Sequence, residues 1–403
     1  VEDMWLNPIL NSDNESGKLE ATVKVSSIAS KDVSVHLVMK DITDKVVLES
    51  NIALEEKDGK LLGFISEDVT EVKAWDNHSP YLYKIVLEVR SEDGEILEVV
   101  PYSVGFRRIE IIDKVMYLNG KRLVIVGVNR HEWNPKTGRN ISIEDMVSDI
   151  SCIKRNNINS VRTCHYPDQI PWYYMCDEAG IYVMAETNLE SHGSWQKLGA
   201  IEPSWNVPGS VPQWREAVVD RARSNYETFK NHTSIIFWSL GNESYGGDDI
   251  EAMNTYFKEQ NDGRLVHYEG SYYTREYEDT ISDVESRMYA KPYEIEEYLS
   301  NNPKKPYILC EFMHDMGNSM GGLDSYMNLI DKYEMYQGGY IWDFIDQALL
   351  VKDEVTGREV LRYGGDFDDK PSDYEFSADG IVFADRREKP AMQEVRYFYG
   401  LYK

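Results

Sequence analysis

Two short segments, Ser239-Leu240-Gly241-Asn242-Glu243-Ser244 and Ile308-Leu309-Cys310-Glu311-Phe312, each set a carboxylate at the end of an apolar, β-branched run. A pair of carboxyls can cleave a glycosidic bond with retention. One protonates the leaving oxygen and the other attacks the anomeric carbon, with the two held roughly 5 Å apart. Glu243 and Glu311 are therefore the candidate catalytic pair.

Other residues suit the same chemistry. Arg162 can hold the attacking carboxylate ionised, and Tyr289 can donate a hydrogen bond to it. Trp342 offers a stacking face to a sugar ring, or equally a plug for a core. Glu190 and His192, at i and i+2, fall on one side of an extended segment and with Glu243 can converge on a cation. A carboxylate-rich set suits Mg²⁺ or Mn²⁺, the imidazole being a less usual Mg²⁺ ligand. The plainer reading is a hydrogen-bonded His192 that fixes its loop. A single Glu after a strand is ordinarily solvated or salt-bridged; the set as a whole carries the argument.

Such a set needs a scaffold that gathers distant strand ends. From about Lys18 to Arg107 the chain alternates in short segments (Leu19 to Val25, Val33 to Val38, Val46 to Leu54, Leu82 to Val89) separated by charged turns such as Lys57-Asp58-Gly59-Lys60. Strands at this spacing predict a β-sandwich of immunoglobulin-like size. After Gly105-Phe106-Arg107-Arg108 the rhythm becomes apolar strand, polar loop, amphipathic helix. Candidate strands are Leu123 to Val128, Ile158 to Arg162, Ile181 to Ala185, Ile235 to Leu240, Leu265 to Tyr268, Val284 to Met288, Tyr307 to Cys310 and Gly339 to Trp342. A helix opens at Ser142-Ile143-Glu144-Asp145 with a capping-box-like start, and another runs from about Val211 to Lys230.

Eight such repeats predict a (β/α)8 TIM barrel, with a doubly wound sheet as the alternative. The expected organisation is thus multidomain, all-β plus α/β: a sandwich over 1–107 and a catalytic barrel over 108–403. In a barrel, reactive groups gather at the carboxyl ends of strands. Those ends supply Asn129 to Glu132, Arg162 to Pro167, Glu186 to His192, Asn242 with Glu243, Tyr289, Glu311, and Trp342 with Asp343.

The 403 residues hold 43 Lys and Arg against 70 Asp and Glu, a net charge of −27. That balance repels nucleic acid and anionic membrane. No basic segment with an apolar signal core opens the chain, and no apolar run reaches the roughly 20 residues of a membrane span. The chain does begin at Val1 without an initiator Met, so a leader can have been lost. Cys152, Cys164, Cys176 and Cys310 form no CxxC pair, which fits a reducing, cytoplasmic setting. Cys164 beside His165 suggests a nucleophile and base, but neighbours on a strand face opposite ways.

Several strings together resemble glycoside hydrolase family 2, in its branch of large bacterial β-galactosidases. They are Val104-Gly105-Phe106-Arg107, Gly127-Val128-Asn129-Arg130-His131-Glu132, Val161-Arg162 with His165-Tyr166-Pro167, Trp238 through Ser244, Ile308 through Glu311, Met316-Gly317-Asn318-Ser319, and Tyr363-Gly364-Gly365-Asp366-Phe367. They occur in order and span nearly the whole chain. Asn242-Glu243 followed by Ser244, rather than by Pro, favours this branch over the similar β-glucuronidases.

The resemblance implies Glu243 as acid/base, Glu311 as the nucleophile that forms a galactosyl-enzyme, and Mg²⁺ held by Glu190, His192 and Glu243. It places His131 and His165 on sugar hydroxyls, Asn242 on the hydroxyl next to the reacting carbon, Tyr289 against the nucleophile and Trp342 in the galactosyl pocket. The substrates it implies are β-galactosides such as lactose.

Family members also carry a jelly-roll domain before the sandwich and β-domains after the barrel, so the chain reads as a fragment. Among the missing parts are an Asp that binds sugar and Na⁺, and a Trp that closes the site. The barrel's own Na⁺ partners are the main-chain oxygen of Phe376 and an Asn, for which Asp379 stands here, so an incomplete Na⁺ site is expected. A seam normally covered by absent domains predicts self-association, and the full-length protein is compatible with a homo-oligomer. The alternatives are another β-glycosidase of the family, acting on glucuronides or mannosides, and a sugar-binding fragment without turnover.

Overall fold

The computed structural model describes residues 1–26, 33–192 and 206–402. Among them, residues 1–104 carry eight strands: β1 (Asp3–Leu10), β2 (Ser16–Val25), β3 (Val33–Lys40), β4 (Val46–Ile52), β5 (Leu54–Lys57), β6 (Lys60–Thr70), β7 (Tyr83–Ser91) and β8 (Ile96–Val104). These form two antiparallel sheets, ordered β1-β2-β6-β5 and β4-β3-β7-β8. Alternation decides which face is buried. Leu19, Ala21, Val23 and Val25 on β2 point inward, as do Val35, Leu37 and Met39 on β3 and Ile85, Leu87 and Val89 on β7. The run from Val46 to Leu54, read from sequence as one strand, divides at Ala53. Its first part pairs with β3 in one sheet and its continuation with β6 in the other.

A three-stranded sheet, β9 (Ile109–Ile112), β10 (Val115–Leu118) and β11 (Lys121–Arg122), leads into the barrel. The barrel strands are β12 (Ile125–Arg130), β13 (Ser160–Thr163), β14 (Tyr182–Glu186), β15 (Ile235–Ser239), β16 (Leu265–His267), β17 (Glu285–Met288), β18 (Tyr307–Phe312) and β19 (Tyr336–Ile341). All pairings are parallel, in the order β16-β15-β14-β13-β12-β19-β18-β17. The chain is a β-sandwich followed by a (β/α)8 barrel.

Seven α-helices accompany the strands among the described residues: α1 (Ile143–Arg155), α2 (Ile170–Ala179), α3 (Pro212–Phe229), α4 (Asp248–Glu259), α5 (Pro292–Ser300), α6 (Asp324–Lys332) and α7 (Met392–Tyr399). Helix α1 opens with the capping box anticipated from sequence, Ser142 and Asp145 each bonding the other's backbone. The crossover from β16 to β17 has no α-helix and runs instead through 3-10 turns at Glu269–Tyr272 and Arg275–Tyr277. Barrel closure depends on Gly338, at φ +85°, where a Cβ would meet the Ile125 carbonyl oxygen at 1.9 Å.

Sandwich and barrel lock through buried groups. Arg107 donates from Nε to the Thr233 carbonyl (2.5 Å) and from Nη2 to that of Ile235 (2.6 Å). Trp75 is fully buried beneath the barrel, its indole N–H donating to the Asp177 carbonyl at 2.8 Å and its ring meeting Tyr182 edge-on at 5.8 Å. Trp75→Ala is expected to cost about 3–5 kcal/mol of stability, the scale for truncating a buried aromatic. Denaturant unfolding with an unchanged midpoint would contradict that packing role. No helix among the described residues is long and apolar enough to cross a membrane.

Candidate active site

Five of the barrel strand ends meet at one guanidinium. Arg162, at the end of β13 and fully buried, donates from Nε to Glu186 Oε2 (2.6 Å), from Nη1 to Glu311 Oε1 (2.7 Å) and Asn129 Oδ1 (3.0 Å), and from Nη2 to Asn242 Oδ1 (2.8 Å). A buried cation is tolerable only when its donors are so engaged, and the planar fork suits several acceptors at once. Burial alone would lower the Arg162 pKa. Glu186 and Glu311 outweigh it, and the group is held well above its usual range.

Glu311 receives a second donor on its other oxygen, the Tyr289 hydroxyl at 2.8 Å. The backbone of Tyr289 also donates to the Glu311 carbonyl at 2.8 Å, which fixes this pair from two directions. Across the site stands Glu243, raised above the ordinary carboxyl range by burial and then by the charge of Glu311, against the pull of His192. Its backbone lies in the left-handed region at φ 35°. Such a conformation costs about 1–3 kcal/mol in a non-glycine residue and is held by its surroundings. Here the Glu243 N–H donates to Glu269 Oε1 at 2.7 Å.

His165 donates from Nδ1 to Glu186 Oε1 at 2.7 Å. Because the carboxylate can only accept, Nε2 is left toward the cavity, 3.9 Å from Glu311. Burial resists the charge on Glu186, but Arg162 and His165 prevail and lower its pKa. The rings of His165 and Trp342 stack at 5.2 Å and 6°. Asn242 bridges the centre: its oxygen accepts from Arg162 and its amide donates to Glu190 Oε1 at 3.1 Å.

These groups wall a cavity of about 490 Å³, lined by His165, Glu190, His192, Asn242, Glu243, Tyr289, Glu311, His314, Met316, Trp342 and Phe376. The structure brings Glu243, Glu311, His165, Asn242, Tyr289 and Trp342 together on that wall, with Arg162 behind it. Trp342 shows one ring region to the cavity and is not the barrel plug; Tyr340 and Trp75 fill that core.

His131 stands beside Trp342 and His165 and is not among the residues that line the cavity. It meets Trp342 edge-on at 5.6 Å, its Nδ1 lies 3.3 Å from the Tyr166 hydroxyl, and burial pushes its pKa well down, keeping the imidazole neutral. Cys164 is fully buried with its thiol pushed well up by burial, which leaves no nucleophilic role.

Glu190, His192 and Glu243 place their donor atoms within 4.8 Å of one another, and His192 Nδ1 contacts Glu243 directly and lies 3.6 Å from Glu190 Oε1. Two carboxylates and an imidazole, partly open to the cavity, fit a divalent cation. His267, Glu269 and Cys310 form a second such group in the barrel interior. Both nitrogens of His267 are taken there by the hydroxyls of Ser239 (2.9 Å) and Ser286 (2.8 Å). Asp379, considered above for Na⁺, turns Oδ2 to the Trp342 indole N–H (3.1 Å) and lies 3.4 Å from His314.

Three features escaped the sequence reading. His314 lies three residues past Glu311 and shares the wall with Phe376, their rings 5.5 Å apart. Glu186 was noted only as one of several strand-end residues and is the anchor of both Arg162 and His165. Glu269, pushed up to about 8 by burial, supports the Glu243 backbone. Its position directly after the fifth barrel strand, the one end from which no group was drawn, was the available signal.

Comparison with known proteins follows the same division of the chain. Residues 109–403 match the model for the TIM barrel domain of glycosyl hydrolases family 2, and residues 1–107 match a second glycosyl hydrolases family 2 model. The chain is 60% identical over 402 residues to the beta-galactosidase large subunit of Lactobacillus acidophilus, covering 100% of this chain and 63% of that protein. It is 51% identical over 399 residues to the beta-galactosidase of Halalkalibacterium halodurans, covering 99% of this chain and 39% of that one. A solved β-glucuronidase from Ruminococcus gnavus superposes with a TM-score of 0.71 at 20% identity, over 99% of this chain and 67% of that chain, a likeness of fold. The chain thus spans 63% of the length of the large-subunit relatives it matches.

Proposed function

Because the chain belongs to glycosyl hydrolases family 2, we propose that it is the sandwich and catalytic barrel of a retaining β-galactosidase that removes terminal β-D-galactose. The observation that carries this reading is the hold on Glu311. Arg162 and Tyr289 each donate to one of its oxygens, while Glu243, its pKa raised by burial and by the charge of Glu311, lines the same cavity.

In the first step Glu243 protonates the glycosidic oxygen as Glu311 attacks the anomeric carbon through an oxocarbenium-like transition state. The C1–O bond to the leaving group breaks and a C1–O bond to Glu311 forms. Glu243, now ionised, then takes a proton from water, and the water oxygen displaces Glu311 to release β-galactose. Arg162 and Tyr289 take up the charge that returns to Glu311 as the ester breaks. His165, fixed by Glu186, and Asn242, fixed by Arg162, are placed to meet sugar hydroxyls, with Trp342 beside them as the apolar face. His131 backs that wall and holds the Trp342 edge.

Glu190, His192 and Glu243 would hold Mg²⁺, whose charge when bound lowers the proton affinity of Glu243. We assign no Na⁺ role, since the Asp379 carboxyl is engaged with Trp342 and His314. Lactose and similar β-galactosides are the proposed substrates. No Lys or Arg lines the cavity among the described residues, which favours a neutral sugar over a glucuronide. Four buried thiols without a disulfide suit a cytoplasmic setting.

A panel of aryl β-glycosides tests the reading. The galactoside is expected to be turned over at least about a hundredfold faster than the glucuronide and mannoside, the discrimination set by matched polar contacts. Chelation followed by Mg²⁺ should lower and then restore the rate. Preference for the glucuronide would contradict the assignment.

A further inference from the structure

The loop that carries Glu243 bends sharply twice within three residues. Gly241 stands at φ +149°, where a Cβ would meet the Leu189 carbonyl oxygen at 2.7 Å, and Glu243 itself lies at φ 35°. Only glycine fits the first bend, and a non-glycine residue keeps the second only when its surroundings hold it. Those surroundings come from one run of sequence: His267, the last residue of β16, with Tyr268 and Glu269 directly after it. The His267 carbonyl accepts from the Leu240 N–H at 3.0 Å, and Glu269 Oε1 accepts from the Glu243 N–H at 2.7 Å. The Tyr268 hydroxyl accepts from the Ser244 N–H at 3.2 Å and donates to the Ser244 carbonyl. Three consecutive residues thus grip the loop before, at and after the acid/base.

Tyr268 and Glu269 are both buried, and neither is among the residues that line the catalytic cavity. Glu269 Oε2 has no hydrogen-bond partner among the described residues. A buried carboxyl with one oxygen unpartnered adds little to the stability of a barrel. Its engaged oxygen meets the one backbone group whose place decides where the Glu243 side chain starts. The opposing carboxylate is fixed by other means, Arg162 and Tyr289 each donating to one oxygen of Glu311. Asn242 also has its own ties, its N–H donating to the Leu189 carbonyl at 2.9 Å and its side-chain oxygen accepting from Arg162. Loosening the grip on Glu243 therefore leaves the nucleophile where it is.

We propose that Tyr268 and Glu269 are positioning residues for the acid/base, aiming the Glu243 carboxyl at the glycosidic oxygen through its backbone. The inference rests on the galactosidase reading above. Proton transfer in the transition state requires the carboxyl within hydrogen-bond reach of the departing oxygen. A displacement of about 1 Å from that geometry costs up to roughly a hundredfold in rate. Such a loss falls on protonation and spares attack by Glu311, which separates aim from general support of the fold.

The test lies in the leaving group. Glucose departs from lactose only with a proton from Glu243, whereas dinitrophenolate departs without one. In Glu269→Met the ratio of kcat/KM for lactose to that for a dinitrophenyl galactoside should fall about tenfold to a hundredfold, the scale of that displacement. Glu269→Gln, whose amide oxygen can still accept from the Glu243 N–H, should restore most of the ratio. Tyr268→Phe removes only the hydroxyl; it should lower the ratio in the same direction, and it decides the matter if Glu269→Met does not fold. Equal losses on both substrates, or no loss on either, overturn the proposal. If the unaltered chain turns over neither substrate, the galactosidase reading fails instead. The grip on the loop is then judged by hydrogen exchange, where the Glu243 amide should exchange about tenfold or more faster in Glu269→Met while the amides of β13 and β18 keep their rates. An unchanged rate at Glu243 overturns it.

Discussion

Glu311→Gln is expected to lower kcat on an aryl β-galactoside by roughly 10⁵-fold or more, the scale lost when a covalent nucleophile is removed. The glutamine amide matches the carboxylate in shape, and its oxygen can still accept from Arg162 or Tyr289. Arg162 keeps Glu186, Asn129 and Asn242 as acceptors, so the fold should survive. The amide cannot form the ester, and the loss is therefore chemical. Unchanged far-ultraviolet circular dichroism with collapsed turnover is the expected pair of results. A loss below about tenfold would move the nucleophile elsewhere.

Glu243→Ala is expected to cost roughly 10²–10⁴-fold on substrates that need protonation, the range for a general acid/base. Its diagnostic is unevenness. A dinitrophenyl galactoside leaves without a proton, so galactosylation should survive and release of galactose should become limiting. Azide, which attacks without giving up a proton, should then restore turnover and yield β-galactosyl azide, its configuration retained because it enters from the face that Glu243 vacates. Equal losses for all leaving groups, with no azide product, would remove Glu243 from that role.

How far the sequence reveals this molecule depends on whether a feature is local. The barrel strands are runs of apolar residues bounded by turn signals, and each of the eight lies where the pattern put it to within a few residues. Residues placed by strand ends, such as Glu243, Glu311 and Tyr289, were legible for the same reason. Strand β1 was not, because Asn7-Pro8 interrupts its pattern; Pro8 is accommodated there on an edge strand. The split at Ala53 was hidden because a strand that changes sheets keeps its alternation. Glu186 became the anchor of Arg162 only through tertiary contact. The contacts of His131 with Trp342 and Tyr166 depend on tertiary packing, which spacing does not encode. The helix-free crossover follows a short strand and carries glycine and tyrosines in place of an apolar helical stripe, a local sign that went unread.

The central claim is a covalent galactosyl ester on Glu311, and trapping it is the most direct measurement. Treating the chain with 2-deoxy-2-fluoro-β-galactosyl fluoride, which slows release more than attack, should inactivate it in time. Peptide mass spectrometry should then find one fluorogalactosyl adduct on the peptide containing Glu311. Galactose should protect, and the Glu311→Gln variant should take up no label. An adduct on another carboxylate, or steady turnover of ordinary galactosides with no adduct at all, would contradict the account.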